Sequence, residues 1–170
     1  EHGILIKDAE SLEIAHKVTA VVLDKTGTLT EGKPKVTDII ETSGMRKSEV
    51  LRIAASLEKG SEHSLAEAIL GEAKTANSEL MIIDRFQAIA GHGIEGNING
   101  KKYVFGNRRL MDRDNISVDS AEENLSRLEE EGKTVMMLAS DKNLIGIIAV
   151  ADTLKETARE GVEMLKNLGI

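Results

Sequence analysis

The chain has 170 residues, 41% of them hydrophobic and 30% charged, a balance typical of a globular protein rather than a disordered or fibrous one. A net charge of −7, with two Phe, one Tyr and no Trp, argues against a nucleic-acid partner, which needs a basic surface and stacking platforms. Because cysteine is absent, disulfides and thiolate metal sites are excluded.

The first thirty residues predict part of an α/β domain. Asp8 is a good cap residue, so a short helix is expected over residues 8–15. Residues 18–23 are apolar and largely β-branched without polar alternation, which predicts a parallel strand that is buried on both faces. Such a strand would deliver Asp24 at its carboxyl end, where open parallel sheets bind their ligands.

Small hydroxyl residues and a glycine follow Asp24. A carboxylate in this position can accept a phosphoryl group and hold it covalently. Gly27 allows the backbone to turn close to the phosphate, and Thr28 can offer its hydroxyl and amide to the phosphate oxygens. The Asp24 carboxylate and the Thr26 carbonyl oxygen can help to hold Mg²⁺, a hard ion that prefers oxygen ligands.

A differently organised block follows residues 30–34, which hold the only proline and predict a domain boundary. Ser48 is expected to cap a helix, and a second helix is expected after the break at residues 60–61. Both helices carry an apolar stripe, so we expect them to pack as a pair. The stripe residues are Val50, Leu51, Ala54 and Leu57 in the first helix and Leu65, Ala66, Ile69 and Ala73 in the second.

From residue 82 onward the pattern changes to short strands. Asn99-Gly100 is a strong type I′ hairpin signal, residues 120–131 predict a helix that ends at Gly132, and residues 141–143 predict a second hairpin. Met136 and Met137 are expected to be core residues on opposite faces of a strand rather than a copper site. This block is therefore predicted to be an α+β domain with an antiparallel sheet.

The last twenty residues again have the α/β sequence pattern of the first thirty. Asp152 or Thr153 is expected to cap a helix whose apolar residues repeat at helical spacing. We therefore predict an α/β domain, residues 1–32 and 151–170, interrupted by an α+β insert, residues 33–150. Both ends of the sequence look cut within this domain, so we expect a piece of a longer protein.

The run Asp24-Lys25-Thr26-Gly27-Thr28-Leu29-Thr30 matches the phosphorylation signature of P-type ATPases along its whole length. The resemblance implies a partial haloacid-dehalogenase-like (Rossmann-like) phosphorylation domain with Asp24 as its catalytic, phosphorylated residue. The alternatives are a strand followed by an ordinary polar turn, and a phosphatase of the same superfamily. A phosphatase usually carries a second Asp two residues after the nucleophile, where this chain has Thr26.

Within the insert, Ser61-Glu62-His63-Ser64-Leu65-Ala66 resembles the Ser-Glu-His-Pro-Leu-Ala motif of heavy-metal-transporting P-type ATPases of the copper/silver type, with Ser64 in place of proline. Taken alone, a histidine at a helix start is more often a surface residue than a ligand. The resemblance implies a nucleotide site in which an acidic residue faces the adenine amino group and an asparagine contacts the ribose or the phosphates. Its residues would be Glu58, His63, Gly91, Gly93 and Asn107.

Two further segments resemble family motifs: Gly3-Ile4-Leu5-Ile6-Lys7 and Asp152-Thr153-Leu154-Lys155, in which Asp152 would serve either as a hinge or as a plain helix cap. The family's later Thr-Gly-Asp, lysine and Gly-Asp-Gly-x-Asn-Asp elements are not in this sequence. We therefore expect the isolated chain to bind nucleotide but to autophosphorylate poorly, which leaves a nucleotide-binding module without turnover as an alternative function.

The resemblance implies that the complete reaction takes place only in a longer parent pump. ATP bound by the insert would phosphorylate Asp24, with Mg²⁺ as cofactor, and drive metal ion transport. Copper or silver export is the implied transport, although zinc, cadmium and cobalt pumps share the histidine motif. The implied partners are ATP and the remaining phosphorylation, actuator and transmembrane domains. Since the apolar runs are shorter than the roughly 20 residues that cross a bilayer, we expect a cytoplasmic domain of an integral membrane protein, without a membrane span of its own.

Overall fold

The computed structural model describes residues 5–61 and 63–170, so Gly3 and Ile4 of the Gly3 to Lys7 motif, as well as Glu62, lie outside the described residues. The helices are α1 (Ala9–Ala15), α2 (Lys47–Glu58), α3 (Ser64–Thr75), α4 (Arg108–Arg113), α5 (Glu122–Glu130) and α6 (Ala158–Asn167). The strands are β1 (Thr30–Glu41), β2 (Asp84–Ile89), β3 (Gly93–Ile98), β4 (Lys101–Gly106), β5 (Thr134–Ser140) and β6 (Asn143–Leu154).

These residues form two compact units. The first contains the chain up to Gly32 together with Thr153–Ile170, and the second contains Lys33–Asp152. Helices α1 and α6 and a tight turn over Lys25–Leu29 belong to the first unit, and helices α2 to α5 belong to the second. The first unit is therefore built from two segments that are distant in sequence, and the second unit from one continuous segment.

A six-stranded sheet with the order β1-β6-β5-β4-β3-β2 forms the centre of the second unit, and the strands from β2 to β6 pair antiparallel. Asn99 and Gly100 join β3 to β4 with φ angles of 52° and 78°, as a type I′ turn requires. Asp141 and Lys142, with φ angles of 51° and 64°, join β5 to β6. Both predicted hairpins and the antiparallel sheet are confirmed.

Helices cover both faces of this sheet. On one face the paired helices α2 and α3 pack against strand residues that include Phe105 and Met136, and on the other α4 and α5 pack against residues that include Val104 and Met137. Adjacent strand residues point to opposite faces, so the two methionines enter separate cores, as predicted. The apolar stripes of the two helices are confirmed as well, because Val50, Leu57 and Ile69 have no exposed surface.

The predicted strand over residues 18–23 is wrong. No regular secondary structure is assigned between His16 and Asp24 beyond a short turn, and the Val22 side chain is 99% exposed. A strand is held by backbone hydrogen bonds to a neighbouring strand, and within the described ranges the sheet offers residues 18–23 no such partner. An apolar, β-branched composition does not form a strand without a partner.

Two predicted helix caps are also wrong. Ser48 lies inside α2, whose cap position is Arg46. Asp152 and Thr153 lie in β6, which continues to Leu154, and Thr157 occupies the cap position of α6. β6 is extended here because β1 lies next to it in the sheet. Strand β1, which contains Pro34, was not predicted. β1 lies at the edge of the sheet, and an edge strand tolerates proline because one side of it needs no hydrogen bonds.

Candidate functional site

The side chains and glycines that the sequence analysis assigned to nucleotide binding surround one pocket in the second unit. Its volume is about 330 Å³, within the size range of small-molecule sites. Residues from α2, α3, β3 and the start of α4 meet here. The lining residues are Glu58, Ser61, His63, Leu65, Ala88, Ile89, Gly91, His92, Gly93, Ile94, Asn107 and Met136.

His63 occupies the cap position of α3, immediately before Ser64, the first residue of the helix. Its Nδ1 atom accepts a hydrogen bond of 3.3 Å from the Leu65 amide. Because Nδ1 is the acceptor, the ring proton of the neutral imidazole lies on Nε2. The cap thus fixes the tautomer and leaves an N–H donor on the far side of the ring.

Glu58, the last residue of α2, is a buried carboxyl group with only 4% of its surface exposed. Burial raises the pKa of Glu58 above its ordinary value, while a hydrogen bond with Ser61 and the electrostatic influence of His63 act in the opposite direction. The Glu58 carboxyl lines the pocket, so its oxygens are able to accept hydrogen bonds from a ligand.

Gly91 lies in the turn between β2 and β3 and Gly93 is the first residue of β3, with φ angles of 72° and 147° that side chains rarely adopt. A Cβ atom at Gly93 would overlap the carbonyl oxygen of Phe105. A Cβ atom on Gly106, at the end of β4, would overlap the carbonyl oxygen of His92. Glycine at positions 93 and 106 therefore lets two backbone segments approach at the edge of the pocket.

Asn107 joins these segments. Its side-chain Nδ2 donates to the Gly91 carbonyl oxygen at 2.9 Å, and its Oδ1 accepts from the Leu110 amide at 3.3 Å as the cap of α4. The backbone amide of Asn107 donates to the His92 carbonyl oxygen at 2.9 Å. In this structure the Asn107 side chain braces the Gly91 turn, a role that the sequence analysis did not foresee.

Some lining residues were not predicted. Ser61 belongs to the quoted motif, yet its hydrogen bond with Glu58 was missed. Gly106 does not line the pocket but directly precedes Asn107, and its close approach to the lining residue His92 depends on strand pairing that spacing along the chain does not reveal. Met136 was expected to be an ordinary core residue and Ile94 was given no role of its own, because nothing distinguishes an apolar pocket wall from a core by sequence alone.

The predicted phosphorylation residues lie in the first unit. Asp24 is exposed, and so are Thr26, Gly27 and Thr28 of the following turn. Gly27 has a φ angle of 77°, and its amide donates to the hydroxyl of Thr30 at 3.1 Å. The Gly27 amide therefore bonds within the turn in this conformation.

Thr30 is only 2% exposed, and its hydrogen bonds stabilise the turn. Its hydroxyl also donates to the Lys25 carbonyl oxygen at 3.0 Å, and its backbone amide donates to the same oxygen. Thr30 is the last residue of the signature run, and no role was predicted for it. These bonds make it a structural anchor of the turn that follows Asp24.

No cluster of three or more His, Cys, Asp or Glu residues suited to a metal ion occurs in residues 5–61 and 63–170. The Asp24 carboxylate and the Thr26 carbonyl oxygen are oxygen atoms of the kind that Mg²⁺ takes as ligands, and they would supply only part of a coordination shell. In the same part of the chain, no helix has the length and apolar character of a membrane span.

Comparison with known proteins agrees with the resemblance seen in the signature. Residues 18–170 match the family described as haloacid dehalogenase-like hydrolase. Over the whole chain the sequence is 46% identical to a probable copper-exporting P-type ATPase of Archaeoglobus fulgidus and 42% identical to a copper-exporting P-type ATPase of Staphylococcus saprophyticus. It is 41% identical, over 99% of its length, to a probable copper-importing P-type ATPase of Enterococcus hirae.

Solved structures give the same result. A zinc-transporting PIB-type ATPase in the E2.Pi state matches 85% of this chain with a TM-score of 0.78 and 36% identity, and the match covers 23% of that protein. A catalytic domain of the CPx-ATPase CopB-B, described in relation to nucleotide binding, matches 98% of this chain with a TM-score of 0.67 and 25% identity, and the match covers 56% of that structure.

The chain spans 21% of the length of the Archaeoglobus and Staphylococcus relatives and 23% of the Enterococcus one. The comparisons thus confirm the fold class and the resemblance to heavy-metal P-type ATPases, while they concern only one region of those proteins. By sequence and fold, this chain belongs to the haloacid dehalogenase-like hydrolase family and corresponds to the catalytic region of heavy-metal-transporting P-type ATPases.

Proposed function

We propose that this chain is the ATP-binding and phosphorylation region of a heavy-metal-transporting P-type ATPase. ATP held by the second unit phosphorylates Asp24 and so drives metal ion transport, with copper or silver export as the transport reaction. The observation that carries the proposal is the meeting of Glu58, His63, Gly91, Gly93 and Asn107 around one pocket, in a chain that also has the seven-residue signature.

The chemistry of the pocket suits an adenine nucleotide. The buried Glu58 carboxyl can pair with the adenine amino group, and the His63 ring can stack on the base or donate from Nε2. Ile94 and Met136 provide apolar walls, and the turn at Gly91 and Gly93 allows the backbone to approach the ligand closely. Few polar groups in a mostly apolar pocket are typical of a small-molecule site.

The exposed Asp24 carboxylate is the acceptor of the phosphoryl group, and Thr28 offers its hydroxyl and amide to the phosphoryl oxygens. Asp24 and the Thr26 carbonyl would hold Mg²⁺, which when bound neutralises phosphate charge. Thr26 stands where a phosphatase of this superfamily usually has its acid-base Asp, so the aspartyl phosphate would persist long enough to be coupled to a conformational change.

The remaining phosphorylation, actuator and transmembrane domains of the pump are the proposed partners, and we place the chain on the cytoplasmic side of the membrane. Copper is the preferred cargo because the Archaeoglobus and Staphylococcus relatives are named copper exporters. Two alternatives remain: a nucleotide-binding module without turnover, and a haloacid-dehalogenase-type phosphatase. Hydrolysis of a simple phosphomonoester by the chain alone would favour the phosphatase.

Calorimetric titration with ATP, with and without Mg²⁺, tests the proposed nucleotide site. The chain, its His63→Ala variant and the matched control His16→Ala are compared, since His16 is exposed and lies in the first unit. We expect His63→Ala to weaken ATP binding by about tenfold or more, the value of one good polar or stacking contact. Equal binding by all three folded proteins, or no binding by the unsubstituted chain, would contradict the assignment.

A further inference from the structure

Lys155, the first residue after β6, contacts the signature turn Lys25–Leu29 at two points. Its side-chain Nζ donates to the Gly27 carbonyl oxygen at 2.9 Å, and its backbone amide donates to the Leu29 carbonyl oxygen at 2.9 Å. All of these atoms belong to the first unit. One residue, 128 positions away from Gly27 in the sequence, therefore holds two peptide groups of the turn that follows Asp24.

The turn needs such support because packing does not hold it. None of the residues from Lys25 to Leu29 is buried, and a Cβ atom on Gly27 would meet nothing within 4 Å. Glycine has more backbone freedom than any other residue, so its two peptide groups adopt one orientation only where hydrogen bonds fix them. Thr30 fixes the peptide group before Gly27, through the Gly27 amide. Lys155 fixes the peptide group after it, through the Gly27 carbonyl.

We propose that Lys155 is a positioning residue for phosphoryl transfer: by holding the Gly27 carbonyl oxygen, it orients the Thr28 amide as a donor to the phosphoryl group on Asp24. The peptide between Gly27 and Thr28 is planar and trans, so its carbonyl oxygen and its N–H point in opposite directions. Once the Lys155 ammonium group donates a hydrogen bond to the Gly27 carbonyl oxygen, the direction of the Thr28 N–H is fixed. This inference rests on the proposed role of Asp24.

The charge of Lys155 strengthens the effect. A hydrogen bond from an ammonium group polarises the peptide that accepts it, and a polarised peptide donates a stronger hydrogen bond through its own N–H. The Thr28 amide would therefore stabilise negative charge on a phosphoryl oxygen better than an unsupported amide does. A neutral side chain at position 155 removes both the orientation and the polarisation, whereas arginine keeps a charged donor.

The test measures phosphoenzyme formation from ATP in the full-length pump that carries this chain. The variants are Lys155→Met, Lys155→Arg, the matched control Lys166→Met on the exposed face of α6, and Asp24→Asn. We expect Lys155→Met to lower the rate by about tenfold to hundredfold, the effect of one charge-assisted hydrogen bond. Lys155→Arg should recover most of the rate, and Lys166→Met should resemble wild type. The dissociation constant for ATP should stay within about twofold of wild type in the three lysine variants, because the pocket is built from second-unit residues.

A second readout separates orientation from general damage. In amide NMR spectra of this chain, the Thr28 signal should move in Lys155→Met and return towards its wild-type position in Lys155→Arg. A wild-type phosphorylation rate or an unmoved Thr28 signal in Lys155→Met would overturn the inference about Lys155 alone. Label retained in Asp24→Asn would instead overturn the proposed function, so the two failures are distinguishable.

Discussion

The side-chain amide of Asn107 donates a hydrogen bond of 2.9 Å to the carbonyl oxygen of Gly91, and so ties the start of α4 to the glycine turn of the pocket. The same side chain accepts from the Leu110 amide as a helix cap. Asn107 therefore connects two elements that each border the ligand space. The nucleotide site that we propose depends on this brace as well as on the groups that would touch the ligand.

Asn107→Asp separates the two roles of this side chain. Aspartate is an equally good helix cap, but it places a carboxylate oxygen rather than an N–H donor against the Gly91 carbonyl oxygen. We expect ATP binding to weaken by about tenfold while α4 is retained, whereas Asn107→Ala should also lose about 1 kcal/mol of stability. Calorimetry and urea unfolding measure the two effects. Unchanged ATP binding by Asn107→Asp would show that the brace is unimportant.

Alanine substitutions at Gly93 and Gly71 test whether the close backbone approach at Gly93 requires glycine, with Gly71 as the matched control. Gly93→Ala should reduce the free energy of unfolding by about 3 kcal/mol, because its Cβ atom would overlap the Phe105 carbonyl oxygen at a strained φ angle. Gly71 lies inside α3 with nothing within 4 Å of a Cβ atom, so Gly71→Ala should stabilise the chain by about 0.5–1 kcal/mol. Urea unfolding of both variants tests this, and equal effects would contradict it.

Glu58→Gln tests the consequence of burying a carboxyl group in the pocket. Burial holds the pKa of Glu58 above its ordinary value of 4.5, so the folded state binds more protons than the unfolded state. The contribution of Glu58 to stability is present in full below pH 4.5 and is lost as the pH rises through the raised pKa. The neutral glutamine does not show this loss, so the variant should gain stability relative to wild type as the pH is raised towards neutrality.

Urea unfolding of wild type, Glu58→Gln and the exposed control Glu67→Gln at several pH values gives the measurement. At neutral pH we expect Glu58→Gln to bind ATP more weakly although it is at least as stable as wild type, a trade-off seen where a buried polar group is kept for function. A stability difference that stays constant or shrinks with rising pH would exclude a raised pKa for Glu58.

Thr30→Val removes a buried hydroxyl that both accepts from the Gly27 amide and donates to the Lys25 carbonyl oxygen. The Lys25 carbonyl oxygen would keep the Thr30 backbone amide as a partner, but the Gly27 amide would lose its acceptor, at a cost of about 0.5–1.5 kcal/mol that falls on the turn that follows Asp24. In a full-length pump we expect phosphoenzyme formation to fall by about tenfold or more, with Thr30→Ser close to wild type. Thr37→Val, which alters a hydroxyl elsewhere in β1, is the matched control.

Local turn chemistry made the hairpins predictable from sequence. Asn99-Gly100 adopts positive φ angles that few other residue pairs tolerate, so its identity alone indicates where the chain reverses. Asp141 and Lys142 also adopt positive φ angles, but lysine is uncommon there, and that hairpin was indicated by the apolar runs on either side of it. The helix stripes were equally visible because they depend on spacing within one element. The residues around the pocket were named from a family resemblance, and their grouping in space depends on strand pairing that no single segment encodes.

Two of the wrong predictions, the strand over residues 18–23 and the helix cap at Asp152 or Thr153, share one cause, which is dependence on a partner strand. Residues 18–23 have the composition of a buried strand, but no neighbouring strand within the described residues completes the hydrogen bonds. Asp152 and Thr153 have the composition of a helix cap, but pairing between β6 and its neighbour β1 keeps them in a strand. The roles of Asn107 and Lys155 were hidden for the same reason, since both donate to residues distant in sequence.

The most direct test of the account is to identify the residue that accepts phosphate from ATP. A full-length pump that carries this chain is incubated briefly with ATP labelled on the γ-phosphate, quenched in acid, and mapped by peptide analysis. We expect an acid-stable, hydroxylamine-sensitive label on Asp24 that disappears in Asp24→Asn and is reduced at limiting ATP in His63→Ala. Label on another residue, or undiminished label in Asp24→Asn, would contradict it.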